Sequence, residues 1–225
     1  MSDQQSQLLD GVRPRAATAL KRDRILDAAM RQFAEKGFDG MRVEDLAAEL
    51  GIAKGSVFQH FGTKGKLFLA AYRRAVAALP SYLEAPAPVQ DRGFWAILDY
   101  WLRSTERMLH EDWIPYRVAL LGNYGTDLEL RREINRFLYR EDPYGTTRFV
   151  ELGIKRGEVR RDLDPEMIVS ILDWTMERFQ DALLTEELDP RLFRRHGARP
   201  ERVAARIDQF LRILQGAIGV PPATP

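Results

Sequence analysis

The segment from Leu50 to Leu83 contains several side chains that can carry positive charge and no acidic side chain. These side chains are Lys54, His60, Lys64, Lys66, Arg73 and Arg74. The whole chain is nearly balanced, with 34 Lys and Arg against 33 Asp and Glu, so this segment differs from its surroundings. A local excess of basic groups favours a polyanionic partner, because acidic groups on the same surface would be repelled by it.

Two short helices joined by a glycine-containing turn are predicted around this segment. Apolar residues at helical spacing predict a first helix that ends at Gly51. These residues are Val43, Leu46, Ala47 and Leu50. A second helix is predicted from about Lys54 to Phe61, with Val57 and Phe61 facing a core. Such a pair is the helix-turn-helix pattern, whose second helix enters the major groove of DNA.

The side chains predicted to face outward from the second helix suit contacts with duplex DNA. Gly55 and Ser56 are small enough for close backbone approach, whereas Gln59 and His60 can hydrogen-bond base edges or phosphates. Thr63 can cap the following helix, whose first N–H groups form a phosphate site together with Lys64. The alternative is a small helical bundle whose basic face is merely solvated.

The run ILDAAMRQFAEKGFDGMRVEDLAAELGIAKGSVFQHFGTKGKLFLAAY resembles the DNA-binding domain of TetR/AcrR-type transcriptional regulators. The resemblance covers about residues 19–72, and its EKGF turn, VEDLAAELGI helix, KGSVFQHF helix and following lysine are all in register. It implies an all-α homodimer that binds a palindromic operator, with a divergent C-terminal domain for dimerisation and effector binding, and repression is the family's usual mode. It also implies DNA-contacting positions for Lys54, Ser56, Phe58, Gln59, His60 and Lys64.

Several positions depart from the usual pattern of that family. Arg42 stands where Ser or Thr often caps the second helix, although its guanidinium can still reach a phosphate. Ala53 replaces a capping Ser, and Lys66 replaces the acid of a capping box. Phe58 stands where Tyr is commoner, which removes a hydroxyl and favours a packing role.

The chain divides into four predicted segments. Residues 1–17 lack periodicity and are predicted to be a flexible tail, 18–62 the helix-turn-helix domain, 63–84 a connecting helix, and 85–220 an effector-binding and dimerisation domain. Helical patterns fill the last segment apart from a connector at 84–91 and a break at 122–127, and no strand pattern competes. The predicted fold class is therefore all-α, with a three-helix N-terminal domain and a larger helical bundle.

The C-terminal segment carries two features that bear on assembly and ligand binding. The predicted helices at 165–184 and 200–217 have broad apolar faces, which fit either burial in the monomer or dimerisation, and the resemblance favours a homodimer. Aromatic residues are dense, and they line apolar ligand pockets as well as ordinary cores. The predicted effector-binding residues are Trp101, Trp113, Tyr116, Tyr124, Phe149 and Trp174.

Other classes of protein find little support in the sequence. The chain has no cysteine, and His60, His110 and His196 lie in no metal-binding spacing. GxGxxG, P-loop and GxSxG motifs are also missing, so neither an enzyme nor a cofactor is predicted. There is no signal-peptide pattern and no apolar run of the ~20 residues that span a bilayer, which predicts a cytoplasmic protein. The alternative function is a helical small-molecule-binding or scaffold protein without a DNA role.

Overall fold

The computed structural model describes residues 3–111, 113–124, 128–184 and 200–221. Within these ranges all regular secondary structure is helical, apart from an isolated β-bridge between Val159 and Gly219. The prediction of an all-α fold is confirmed. The helices fall into two compact units, one formed by residues 1–78 and 114–136, the other by 79–113 and 137–225.

The first unit contains the predicted helix-turn-helix. It is built from α1 (Asp3–Gly40), α2 (Val43–Glu49), α3 (Lys54–Phe61), α4 (Lys64–Ala78), α7 (Trp113–Tyr124) and most of α8 (Leu128–Glu141). Phe33, Phe38 and Phe68 form an aromatic cluster, with the ring of Phe68 edge-on to the other two at 5.0 and 5.3 Å between centroids. This cluster packs α1 against α4 and so supports the two helices that flank α2 and α3.

Helix α1 begins earlier than the sequence predicted. The predicted start was Thr18, but the helix begins at Asp3 and runs to a kink at Gly37, whose φ of 73° lies in the left-handed region. Apolar residues at helical spacing in α1 begin only at Ile25, so periodicity gives no sign of the part of the helix that precedes them. Gln, Leu and Ala in that part are good helix formers. The flexibility of residues 1–17 stays a prediction.

The second unit is a helical bundle around one hydrophobic core. Its elements are a 3-10 turn (Tyr82–Glu84), α5 (Ala87–Gln90), α6 (Phe94–Glu111), α9 (Thr146–Lys155), α10 (Pro165–Leu184) and α11 (Pro200–Ile218). Phe94 stacks on Phe149 with 4.1 Å between ring centroids, which joins α6 to α9. Phe179 stacks on Phe210 at the same distance, which joins α10 to α11.

Two predicted breaks are partly helical. The connector at 84–91 contains α5, because Pro88 suits the first turn of a helix and Gln90 donates its amide to the carbonyls of Leu83 and Ala85. The break at 122–127 begins later than predicted, because α7 continues to Tyr124, and residues 125–127 lie outside the described residues.

Side chains begin two helices of the second unit. Asp164 accepts a hydrogen bond from the Glu166 N–H at 3.0 Å and so caps the start of α10. Glu158 accepts one from the Phe94 N–H at 2.9 Å and so satisfies a free donor at the start of α6. None of the helices in the described ranges is both long and apolar enough to cross a membrane.

Candidate nucleic-acid interface

The turn between α2 and α3 depends on a glycine and on two backbone hydrogen bonds. Gly51 has a φ of 64°, and its N–H donates to the Ala48 carbonyl at 3.1 Å. The N–H of Ile52 donates to the Ala47 carbonyl at 3.0 Å. Only glycine adopts a positive φ without steric cost. The backbone conformation at Gly51 therefore explains why the sequence predicts the end of the helix at this position.

The outward face of α3 presents most of the predicted DNA-contacting side chains together. Lys54, Gly55 and Gln59 are exposed, Ser56, Phe58 and His60 are half-buried, and Val57 and Phe61 are buried. Arg42 is exposed immediately before α2. Neither Arg42 nor Ala53 makes a side-chain cap, as their residue types suggested.

Gly55 is not required by the packing of the protein itself. A Cβ atom added at this position would meet no atom within 4 Å, and its φ is not positive. Neither crowding nor backbone strain within the described structure therefore explains a glycine in the first turn of α3. A partner that approaches the helix closely would explain it.

Lys54 is engaged with α2 rather than extended into solvent. Its ammonium group donates to a carboxylate oxygen of Glu44 and lies 5.6 Å from the centroid of the Phe58 ring. The hydrogen bond from Lys54 lowers the pKa of Glu44 below its ordinary value. The half-buried Phe58 thus supports Lys54 through its ring, in line with the packing role that its missing hydroxyl suggested.

The start of α4 offers both a capped N-terminus and a positioned cation. Thr63 Oγ1 accepts a hydrogen bond from the Lys66 N–H at 3.1 Å, which confirms the predicted cap. Lys64 Nζ lies 3.4 Å from the Asp39 carbonyl oxygen and 4.8 Å from the centroid of the Phe38 ring. The end of α1 therefore holds this ammonium group beside the first turn of α4.

Polar contacts fix α2 on α1. Glu49 accepts hydrogen bonds from Gln32 at 2.6 Å and from Arg31 at 3.0 Å. These bonds, that from Gln32 first, lower the pKa of Glu49. Lys36 pairs with Asp45 at 3.7 Å. Two of the three acids of α2 thus pair with α1. These ion pairs, together with apolar packing, hold α2 in place beside α3, the predicted recognition helix.

Helix α4 is joined to α1 through a forked ion pair. Arg74 donates one nitrogen to Asp23 and another to Asp27, both at 2.6 Å. A guanidinium suits such a two-point contact, because its N–H groups have a fixed planar geometry. This pair therefore joins the middle of α4 to α1 within the first unit.

Some contacts in the candidate interface were not predicted from the sequence. Glu44, Phe38 and the Asp39 carbonyl position the two lysines, and Arg22 lies over the Phe61 ring at 4.9 Å. The partners are separated by between 10 and 39 residues, so helical periodicity within one element gives no sign of them. Phe38 lies in the EKGF turn, directly after the kink at Gly37, and its position in that motif was the signal that the sequence offered.

The structure does not gather the predicted effector-binding residues in one unit. Tyr116 and Tyr124 belong to the first unit, and the other four to the second. Trp101 and Phe149 lie in the core of the second unit, and Trp101 also lines a small cleft with Tyr100 and Ser104.

Two predicted effector-binding residues do not suit the wall of an enclosed pocket in the single chain. Trp174 is 66% exposed and Trp113 is 44% exposed. An aromatic residue at helical spacing has the same signature in a core, in a pocket and on an interaction surface, so the sequence could not separate these cases.

Comparison with known proteins places these observations in a family. The model of the bacterial regulatory proteins of the tetR family matches residues 25–71, which include α2 and α3. The HTH-type transcriptional repressor AcnR of Corynebacterium efficiens is 30% identical over 164 residues, covering 73% of this chain and 82% of that protein. AcnR of Corynebacterium glutamicum is 28% identical over 166 residues, with the same coverage.

Solved structures share the fold over most of the chain. A TetR family transcriptional regulator from Chloroflexus aurantiacus has a TM-score of 0.56 at 19% identity, over 90% of this chain and 95% of that one. FadR from Bacillus subtilis, in complex with stearoyl-CoA, has a TM-score of 0.62 at 19% identity, over 85% of this chain and 96% of that one. The chain belongs to the TetR family and is a DNA-binding transcriptional regulator rather than an enzyme.

Proposed function

We propose that the chain is a repressor that binds a palindromic operator as a homodimer and is released by a small apolar or aromatic effector. The observation that carries this proposal is the outward face of α3. It combines a glycine that the packing does not require with exposed polar and basic side chains. The relatives named as repressors support the same direction of regulation.

The contacts divide into those that read sequence and those that position the protein. Gln59 can make paired hydrogen bonds to a base edge, and His60 can contact a base or a phosphate. Arg42, Lys54 and Lys64 supply positive charge for phosphates, which contributes affinity without sequence information. The capped start of α4, with Thr63 at its N-cap, offers free N–H groups to a further phosphate.

Dimerisation is supported by apolar side chains left uncovered on the last two helices. Met167 and Trp174 of α10 and Ile213 of α11 are all more than half exposed in the single chain. A second copy packed on α10 and α11 would cover them. Two recognition helices related by a two-fold axis would then read half-sites about one DNA turn, ~34 Å, apart.

An effector would act by favouring one of two dimer geometries. Aromatic and apolar side chains are dense in the second unit, where Trp101 also lines a small cleft, and such side chains suit an apolar or aromatic ligand. Helix α4 is the proposed transmitter, because Arg74 ties it to α1 in the DNA-binding unit.

The test is selection of bound sequences from random duplex DNA with purified protein at near-physiological salt. Recovery of a palindrome supports the proposal, and its genomic matches would indicate the effector pathway. The alternative, a helical small-molecule-binding protein without a DNA role, predicts no enriched motif. It also predicts no salt-dependent retention of the folded protein on DNA.

A further inference from the structure

The three acidic side chains of α2 have different partners. Asp45 and Glu49 pair with α1, through Lys36 and through Arg31 and Gln32. Glu44 instead bonds Lys54, the first residue of the recognition helix. The structure describes every residue of α2, and of its three acids Glu44 is the one that pairs with α3.

The pair of Glu44 and Lys54 contributes little to holding the fold together. Both side chains are at least half exposed, and exposed ion pairs are screened by water and salt. The position of α2 is already determined by burial of Val43, Leu46 and Ala47 and by the contacts of Glu49 with α1. The main effect of Glu44 is therefore local, on the ammonium group of Lys54.

That ammonium group is also a predicted phosphate contact. A phosphate oxygen and the Glu44 carboxylate are both anionic acceptors for the same donor. If Lys54 moves to a phosphate, its bond to Glu44 is lost. If it stays, the carboxylate keeps it from the phosphate. In either case Glu44 opposes binding to any duplex, whatever its sequence.

We propose that Glu44 sets the DNA affinity of this regulator by competing with phosphate groups for Lys54. The inference rests on the proposed function, because it requires Lys54 to face DNA. It assigns Glu44 a tuning role: the residue lowers affinity for all DNA equally and so leaves sequence preference unchanged. Removal of its charge frees Lys54 from this competition, so that its ammonium group contacts phosphate without first losing an ion pair.

The test is a double-mutant cycle of the full chain, with wild type, Glu44→Gln, Lys54→Gln and the double variant. Binding to the selected operator and to a random duplex is measured by fluorescence anisotropy over a range of salt concentrations. Glu44→Gln should strengthen binding to both duplexes by about three- to fivefold in the wild-type background, and by less than about twofold when Lys54 is replaced by Gln. The salt dependence should steepen by at most about one counterion, because only the share of complexes in which Glu44 holds Lys54 gains a phosphate contact.

A general repulsion between Glu44 and DNA would give a different result. It would strengthen binding equally with and without Lys54, and that outcome would overturn the proposal. Asp45→Asn is the matched control, because it removes the same charge one residue further along α2 and should show no coupling to Lys54. Thermal unfolding of each variant checks that the fold is intact.

The remaining outcomes separate the two proposals. If Glu44→Gln leaves affinity unchanged or lowers it while wild type binds its operator, the tuning role is wrong and the proposed function stands. If wild type binds neither the selected nor the random duplex, the proposed function fails, and the tuning role fails with it.

Discussion

At the scale of single residues, Gly55 offers a test that separates the requirements of the fold from those of the proposed contact with DNA. An alanine at this exposed helical position meets no neighbour within 4 Å, and alanine is favoured over glycine in helices by up to about 1 kcal/mol. Gly55→Ala should therefore raise the free energy of unfolding while weakening operator binding. Chemical denaturation and anisotropy titration measure the two effects. A variant that is more stable and binds equally well would contradict close approach of the DNA backbone to α3.

Gln59 and Lys64 should respond differently to truncation. Gln59→Ala is expected to cost about 1–3 kcal/mol of binding free energy at one base position and to relax sequence preference there, since its amide can read a base edge.

Lys64→Ala should weaken binding to all duplexes and reduce the slope of log affinity against log salt concentration by about one. Repeating the selection from random DNA with each variant distinguishes the two effects. Lys155→Ala is the control, because it removes an exposed charge from the second unit.

The outward residues of α3 could be predicted because two glycines limit a short helix on which Val57 and Phe61 define the inner face. The residues that these side chains contact on other helices could not be predicted. The bond from Lys54 to Glu44 and the position of Lys64 beside Phe38 depend on how separate helices meet. Such contacts join residues far apart in sequence, and no local pattern reports them.

At the scale of elements, the contact between α1 and α2 depends on a buried amide. Gln32 is 5% exposed and donates to Glu49, so Glu49→Ala leaves that donor without its acceptor, at a cost of about 1–3 kcal/mol. The pKa of Glu49 is lowered in the folded state, so its contribution is present above its unfolded pKa and is lost as pH falls through the folded value. The stability difference between wild type and variant should therefore shrink below about pH 4.3, the ordinary value for glutamate.

Unfolding by urea at several pH values measures this difference. Glu35→Ala removes an exposed glutamate from α1, the helix that carries Gln32, and should leave stability nearly unchanged at every pH. A pH-independent loss in Glu49→Ala would show that the carboxylate charge is not what stabilises the contact.

The packing of α7 against α4 depends on the absence of a side chain at Gly122. A Cβ there would lie 2.4 Å from Cε2 of Tyr72, which is buried and cannot move aside freely. Gly122→Ala should destabilise the protein by about 1–3 kcal/mol through overpacking. Gly65→Ala in α4 is the matched control, because its added methyl meets Thr63 at an ordinary 3.8 Å. Thermal unfolding of both variants should show a loss in the first and none in the second.

The contact at Gly122 also explains why one element boundary could not be predicted. A Gly-Asn pair with a further Gly nearby indicates a break, yet α7 continues through residues 122–124 because the glycine admits Tyr72. Tertiary packing overrides local propensity there. By contrast, α3 could be predicted to within a residue at each end, because Gly51 and Gly62 adopt positive φ angles for local reasons.

At the scale of the whole molecule, the aromatic residues of the C-terminal segment show the limit of sequence reasoning. Phe149 is buried against Phe94, whereas Trp174 is largely exposed, and both stand at helical spacing. Helical spacing shows which side of a helix a residue occupies, but it does not show whether that side packs in a core, a pocket or an interface. The homodimer proposed above would give the exposed surface of Trp174 a partner.

Substitution of the exposed apolar residues tests that partner directly. Trp174→Glu combined with Ile213→Glu places four like charges in a two-fold interface on α10 and α11. Because both side chains are about two-thirds exposed in the single chain, helicity should be retained. Sedimentation velocity should show a monomer, and binding to the palindrome should fall to that of an isolated half-site. Tyr139→Glu on α8, where the side chain is 85% exposed, is the control and should leave the dimer intact. A double variant that remains dimeric would place the interface on another face. The position of that face would then determine the distance between the two α3 helices and so the spacing of the half-sites.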